Sequence, residues 1–282
     1  MGIALLVVAY NSPHEGIDRL IESLADSKPH EECTNEIEVV VVQNDSGPAY
    51  KRNGAVTLQG HGNIGFGAGV RLALENSSSE IVAIANPDCY LEEGRGLREL
   101  IACLQNGPTH SIVSPLVVGH SGKIEHHAYG DWTFTPTRYL IRAWSRLVLQ
   151  LGSSARIPRG LKLPGTFLIM NRDVANGLGP FDPKFFLYGE DRDMCRRARA
   201  MNIELLLCRE AIAIHEGGVS AKSVPHIVTR GQAAAALEIA RRKFGFLGSV
   251  LAGFDLLVTS RSSDIRKIRL AEIRHSFGRE KT

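Results

Sequence analysis

The sequence predicts an α/β protein built on a mostly parallel sheet covered by helices. Short β-branched and aliphatic runs recur at 3–8, 37–42, 81–85 and 112–113, and residues 17–24 and 97–104 between them carry helical spacing. Strands that alternate with helices are joined by crossovers, which makes neighbouring strands parallel and covers both faces of the sheet. With 282 residues, 44% of them hydrophobic, the chain can bury one large core. Each early run ends in polar residues: Tyr10-Asn11, Gln43-Asn44-Asp45-Ser46 and Asn86-Pro87-Asp88. Ligands of open α/β sheets bind at these carboxyl ends, so the three tips are the first candidates for a site.

The later elements follow in order. Residues 119–163 are less regular and carry Trp132, Trp144 and a basic series of Arg138, Arg142, Arg146, Arg156, Arg159 and Lys162, of which the first three can share one helical face that reads as solvated or as an acceptor or membrane-surface contact. A strand is expected at 167–170, then a loop rich in Gly, Pro and Phe, then a helix over 191–201. Met194, Ala198 and Met201 form the buried seam of that helix, and its arginines stay solvated. Residues 211–214 form another strand, ending at His215. Residues 226–244 read as a helix closed by Gly245, with Arg241-Arg242-Lys243 in its last turn, where the helix dipole favours cations. The expected division is a domain over 1–225 and an appended helical segment over 226–282.

Composition narrows the function. A net charge of +3 offers no argument for nucleic acid, so a small-molecule substrate is expected. Five cysteines, Cys33, Cys89, Cys103, Cys195 and Cys208, show no CxxC spacing and read as reduced, mostly buried thiols of a cytoplasmic protein. The N-terminal run lacks the basic flank of a signal peptide, and the apolar stretch 247–258 is too short to span a bilayer. The basic and apolar C-terminal segment is instead expected to touch a membrane surface peripherally.

Three features carry chemistry. Asp88 follows a buried-looking strand, and Pro87 stiffens its turn, which suits a divalent cation on a diphosphate. Glu190, Asp191 and Asp193 open a helix, where free N–H groups favour anionic side chains. His215 ends an apolar strand. Gly60-x-Gly62-x-x-Gly65 also satisfies a dinucleotide-binding pattern, which leaves an NAD-dependent oxidoreductase as the alternative enzyme. That fingerprint should follow the first strand, yet the first strand turns through Ala9-Tyr10-Asn11 without glycine.

These features join an ordered set: Ala9-Tyr10-Asn11, Gln43-Asn44-Asp45-Ser46, the glycine-rich run 62–69, Asn86-Pro87-Asp88, Gly165-Thr166-Phe167, Gly179-Pro180-Phe181-Asp182, the run 185–195 and His215-Glu216-Gly217-Gly218-Val219-Ser220. The set resembles the family 2 inverting glycosyltransferases of the GT-A fold, in a rhamnosyltransferase-like branch that builds surface polysaccharides. The resemblance covers roughly residues 3 to 220. It implies a Rossmann-like sheet and transfer of a sugar from a nucleotide diphosphate donor, UDP- or dTDP-linked, to a hydroxyl of a glycan or lipid-linked acceptor. It assigns Tyr10, Asn11, Gln43, Asn44 and Asn86 to the donor nucleotide. Asp88 and His215 go to Mg²⁺ or Mn²⁺, Asp191 to the catalytic base and Glu190 to orienting the acceptor or Asp191. Two positions depart from the family pattern: Gln43 stands where an aspartate usually accepts the base N–H, and Val70-Arg71 replaces a usual asparagine, with Arg71 read as a surface residue. A binding protein that keeps the pocket without turnover is the remaining alternative.

Overall fold

The computed structural model describes residues 2–25, 37–152, 155–217 and 225–278. Cys33 and residues 218–220 of the last motif lie outside them. Eight strands form one sheet: β1 (Ile3–Ala9), β2 (Ile37–Gln43), β3 (Ala55–Leu58), β4 (Ile81–Ala85), β5 (Cys89–Leu91), β6 (Ser111–Gly119), β7 (Phe167–Asn171) and β8 (Glu204–His215). Their order is β3-β2-β1-β4-β7-β6-β8-β5. β1 to β4 pair in parallel, as expected for a nucleotide-binding half. The second half mixes directions: β7 runs antiparallel to β4 and β6, β6 and β8 are parallel, and β5 is antiparallel to β8.

The chain forms the central strands because their side chains are buried from both faces. Every residue of β1 and β4 is buried, which a helix-covered sheet requires of a continuous aliphatic run. Helices α1 (His14–Ala25), α2 (Phe66–Glu75), α3 (Leu97–Asn106), α4 (Thr135–Leu151), α5 (Arg172–Leu178), α6 (Glu190–Ala200), α7 (Pro225–Val258) and α8 (Ser263–Gly278) complete the molecule. α1 buries Ile17, Leu20, Ile21 and Leu24, the apolar stripe visible in the sequence. Cys89, Cys195 and Cys208 are buried free thiols and Cys103 is half-buried.

Three expectations are revised. The irregular region contains the 17-residue α4, opened by Pro136 in its first turn and carrying the Arg138, Arg142, Arg146 series. In α6, Met194 and Ala198 are buried as expected, but Met201 caps the helix and is 50% exposed. Nor do the arginines of α6 all stay in water. Arg197 reaches the carbonyls of Leu178, Gly179 and Pro180, and Arg199 bonds those of Pro158 and Leu161.

Gly245 does break α7, with φ 67 and ψ −156, and the chain then resumes a helical run to Val258. Ala233, Leu237, Ala240, Ala252 and Leu256 form a small apolar cluster separate from the main core, joined by Phe134 and Ile273. The clasp between this hairpin and the sheet domain is ionic. Asp193, buried in the first turn of α6, meets Arg197 at 2.7 Å, Arg242 at 2.8 Å and Arg196 at 2.9 Å. Burial alone would raise its pKa, but these guanidinium contacts hold it below the usual carboxylate range.

Candidate active site

The strand tips and the start of α6 enclose a cleft of 440 Å³. Tyr10, Asn44, Asn86, Asp88, Glu190, Asp191 and His215 all line it. Asn11 and Gln43 instead line an adjoining cavity of 210 Å³ beside His14, Asp45 and Pro48.

The nucleotide side follows from β1 and β2. Asn44 is buried and donates to the Gly65 carbonyl at 3.1 Å, while its own carbonyl oxygen has no partner. Asn11 takes a left-handed backbone, φ 49, and its N–H donates to Asp45 at 2.8 Å. Gln43 does something the sequence does not foretell. It is 4% exposed; its amide oxygen accepts the Tyr50 N–H at 3.0 Å, and its nitrogen donates to Asp45 at 3.0 Å and to the Pro48 carbonyl at 2.9 Å. Gln43 therefore braces the loop after β2, and Asp45 is the carboxylate that this loop presents. Hydrogen bonds from Gln43, Asn11 and Gly47 outweigh burial and keep Asp45 below the usual carboxylate range. Arg71 is exposed, as expected.

Gly60, Gly62 and Gly65 have positive φ. At Gly65 a Cβ would lie 2.6 Å from the Phe186 carbonyl, which accepts the Phe66 N–H at 3.0 Å. The glycine thus lets α2 begin against the loop before α6. Its empty Cβ position faces protein backbone, so close packing accounts for Gly65, while Gly60 and Gly62, with open space at Cβ, are needed only for their positive φ.

The acidic end is set by β5 and β8. Cys89 pairs with His215 across these antiparallel strands, which puts Asp88 beside His215: Asp88 Oδ1 lies 3.5 Å from His215 Nε2. Glu125, which the sequence reading missed, lies 3.1 Å from His215 Nδ1. Burial lowers the basicity of His215, but hydrogen bonds and attraction from Asp88 and Glu125 prevail and hold it up at about 10. A carboxylate on Nδ1 fixes the ring and leaves Nε2 facing the cleft beside Asp88. Among the described residues no group of three or more His, Cys, Asp or Glu side chains has metal-ligand geometry. Asp88, together with His215 once a cation displaces its Nε2 proton, nonetheless gives two donors that suit Mg²⁺ or Mn²⁺, which take most of their ligands from substrate phosphates and water.

The carboxylates of α6 divide. Tyr188, with φ 69, and Gly189, with φ 86, turn the chain sharply into the helix. Glu190 is half-buried at the cleft wall, its Oε2 is shielded without a partner, and burial followed by repulsion from Asp191 pushes its carboxyl up to about 8. Asp191 is paired with Lys162, the last member of the basic series, which the sequence placed on a solvated or contact surface and not in the site. Lys162 stands between the fully buried Leu161 and Leu163, and that placement was its available signal: a cation inside an apolar run is seldom buried without a partner. Glu125 had no such signal, since it falls in a turn between β6 and a short 3₁₀ segment, His126–Tyr129.

Residues 4–174 match the family model described as Glycosyl transferase family 2. The low-salt glycan biosynthesis hexosyltransferase Agl10 of Haloferax volcanii is 26% identical over 186 residues, which cover 63% of this chain and 58% of the relative. The chain thus spans less than two thirds of that relative's length. Among solved structures, S. aureus TarS 1-349 in complex with UDP-GlcNAc aligns with a TM-score of 0.54 at 18% identity, over 99% of this chain and 73% of that one. GalNAc-T7 with UDP, GalNAc and Mn²⁺ also gives 0.54, at 13% identity, over 100% of this chain and 57% of that one. These likenesses show a GT-A fold. Glu190, Asp191 and His215 lie beyond the matched span, but β1 through β7, with Asn44, Asn86 and Asp88, lie within it, and this chain belongs to the glycosyl transferase family 2.

Proposed function

We propose that the chain is an inverting glycosyltransferase that moves a sugar from a UDP- or dTDP-linked donor to a hydroxyl of a glycan or lipid-linked acceptor. A rhamnosyltransferase-like role in surface polysaccharide synthesis remains part of this reading. The observation that carries it is one cleft with a carboxylate–imidazole pair, Asp88 and His215, on one wall and the Glu190-Asp191 pair on another.

In this reading Tyr10, Asn44 and Asn86 hold the donor in the main cleft, while Asn11 and the Gln43-braced Asp45 bound the side cavity for the base. Solved structures of the same fold hold UDP-GlcNAc or UDP with Mn²⁺. Asp88 and His215 would hold Mg²⁺ or Mn²⁺, which when bound offsets the charge that grows on the leaving diphosphate. Asp191 takes the acceptor proton, and a single displacement inverts the anomeric carbon. Lys162 keeps the Asp191 carboxylate aimed into the cleft. Glu190, neutral below about pH 8, does not compete for the proton and can donate one hydrogen bond to the acceptor. The segment from 226 onward is read as an appended unit; its described helices are α7 and α8, and Ile227 and Val228 at its start wall the same cleft.

The test is a thermal-shift screen of UDP- and dTDP-sugars with Mn²⁺ or Mg²⁺, with GDP-sugars as the control, followed by transfer assays. A cation-dependent rise in melting temperature with UDP or dTDP donors supports the reading. No shift with any nucleotide sugar, or full transfer in excess EDTA, sinks it.

A further inference from the structure

The most unusual surface lies away from the cleft. In α4, Tyr139, Leu140, Trp144, Leu147 and Leu151 are between 40% and 77% exposed. At about 100° per residue they fall within one arc of roughly 140°. This helix packs Ile141, Val148 and Leu149 on the core and still presents a second, exposed apolar side. The second half of α7 does the same. Phe246, Leu247, Val250, Leu251, Phe254 and Val258 are 41% to 68% exposed and span a similar arc of roughly 140°. The small residues Gly248, Ser249, Ala252 and Gly253 face inward.

The two helices are joined. Asp255 accepts hydrogen bonds from the Thr135 N–H and hydroxyl, both at 2.9 Å, and Phe134 stacks on Phe244 with centroids 5.8 Å apart. Charge on this face is of one sign. α4 carries Arg138, Arg142 and Arg146 and no acid, and Arg138 donates to the Tyr139 hydroxyl at 3.3 Å. Asp255, the acid of the 246–258 stretch, is turned inward to α4. Arg142 and Arg146 lie at one edge of the α4 apolar arc, where long cationic side chains reach headgroups while the apolar face enters the acyl boundary. No helix among the described residues is long and apolar enough to cross a membrane.

We propose that α4 and the second half of α7 form one docking face for an anionic lipid bilayer. The occupant follows from the charge: exposed arginines bordering a wide apolar face complement anionic headgroups, whereas two copies meeting through this face would bring like charges together. This reading joins the contact expected of the C-terminal segment to the basic helix of the middle region as one surface. The same α7 begins at the cleft wall and packs on the turn before Glu190, since a Cβ at Gly231 would lie 2.8 Å from the Leu187 carbonyl. The bilayer contact thus sits on the element that borders the site, which suits an acceptor carried on a lipid. The proposal deepens the lipid-linked reading of the acceptor, yet vesicle binding is measured without donor or acceptor and so stands or falls separately.

The experiment is flotation of the full chain with phosphatidylglycerol/phosphatidylcholine vesicles and with phosphatidylcholine alone, beside sedimentation velocity of the free protein. Wild type is expected to float with anionic vesicles. Arg142→Glu/Arg146→Glu should lower that partition at least about ten-fold, and Leu140→Gln/Leu147→Gln/Phe254→Gln should abolish it. All of these positions are exposed or half-buried at the surface, so melting temperature and UDP binding should be unchanged. Absence of binding to anionic vesicles, or equal binding by wild type and both variants, overturns the proposal. Self-association that the apolar variant removes, without vesicle binding, overturns it in favour of a second copy.

Discussion

Lys162 closes an ion pair with Asp191 inside the cleft, and with 9% and 18% of their side chains exposed the two groups are largely out of water. The base proposed for the reaction is therefore held by a cation that comes from a different segment, between the 3₁₀ turn and β7. Asp191→Asn keeps the shape of the side chain and removes proton acceptance. Transfer should fall about a hundred- to ten-thousand-fold with donor affinity retained. Lys162→Met leaves a carboxylate without its partner and should cost about 3–5 kcal/mol of stability. Transfer rate, donor affinity and thermal unfolding on the two variants check both statements, and a near wild-type rate for Asp191→Asn removes it as the base.

Glu190 supplies the pH dependence. Its carboxyl is pushed up to about 8 from an ordinary 4.5, so between these values the folded state holds a proton that the unfolded state has lost. Stability then falls as pH rises through this window, and the loss is complete above pH 8. Glu190→Gln removes the penalty. Its melting temperature should match wild type near pH 4.5 and exceed it at pH 8.5, by the equivalent of roughly 2–5 kcal/mol. A pH-independent difference between the two proteins would refute the assignment.

Glu125 acts through the ring it orients. Glu125→Gln retains size and one hydrogen bond but loses the charge on the Nδ1 side of His215, and should weaken Mn²⁺ binding about ten- to a hundred-fold. Titration of Mn²⁺ in the presence of UDP reads this directly. Asp88→Ala should lose cation-dependent binding altogether, and an unimpaired Asp88 variant would contradict the cation site.

Gly65 tests the packing of the glycine-rich run. Its φ of +83, and the 2.6 Å that would separate an added Cβ from the Phe186 carbonyl, leave no room for a side chain. Gly65→Ala should destabilise by about 1–3 kcal/mol and loosen the loop before α6. Denaturant unfolding measures the first effect and UDP affinity the second. An alanine variant as stable as wild type would show that this approach is not needed.

Much of the fold was legible because its signals are local. Continuous aliphatic runs specify doubly covered strands, the spacing of Ile17, Leu20 and Leu24 specifies a helix, and polar residues directly after β1, β2 and β4 mark the ligand edge. Gly245 likewise ended the first helical run of α7 where the sequence placed the break. The order of motifs, each weak alone, was enough to indicate the family and to name seven of the residues that line one cleft.

What the tertiary structure decided are pairings between segments distant in the chain. Lys162 finds Asp191 29 residues away, Glu125 finds His215 90 residues away, and the role of Gln43 depends on where the loop to Tyr50 returns. The direction of β7, antiparallel between β4 and β6, and the outward apolar face of α4 belong to the same class. Periodicity states that a helix has an apolar stripe; which side of that stripe meets the core is set by neighbours that the chain brings together only on folding.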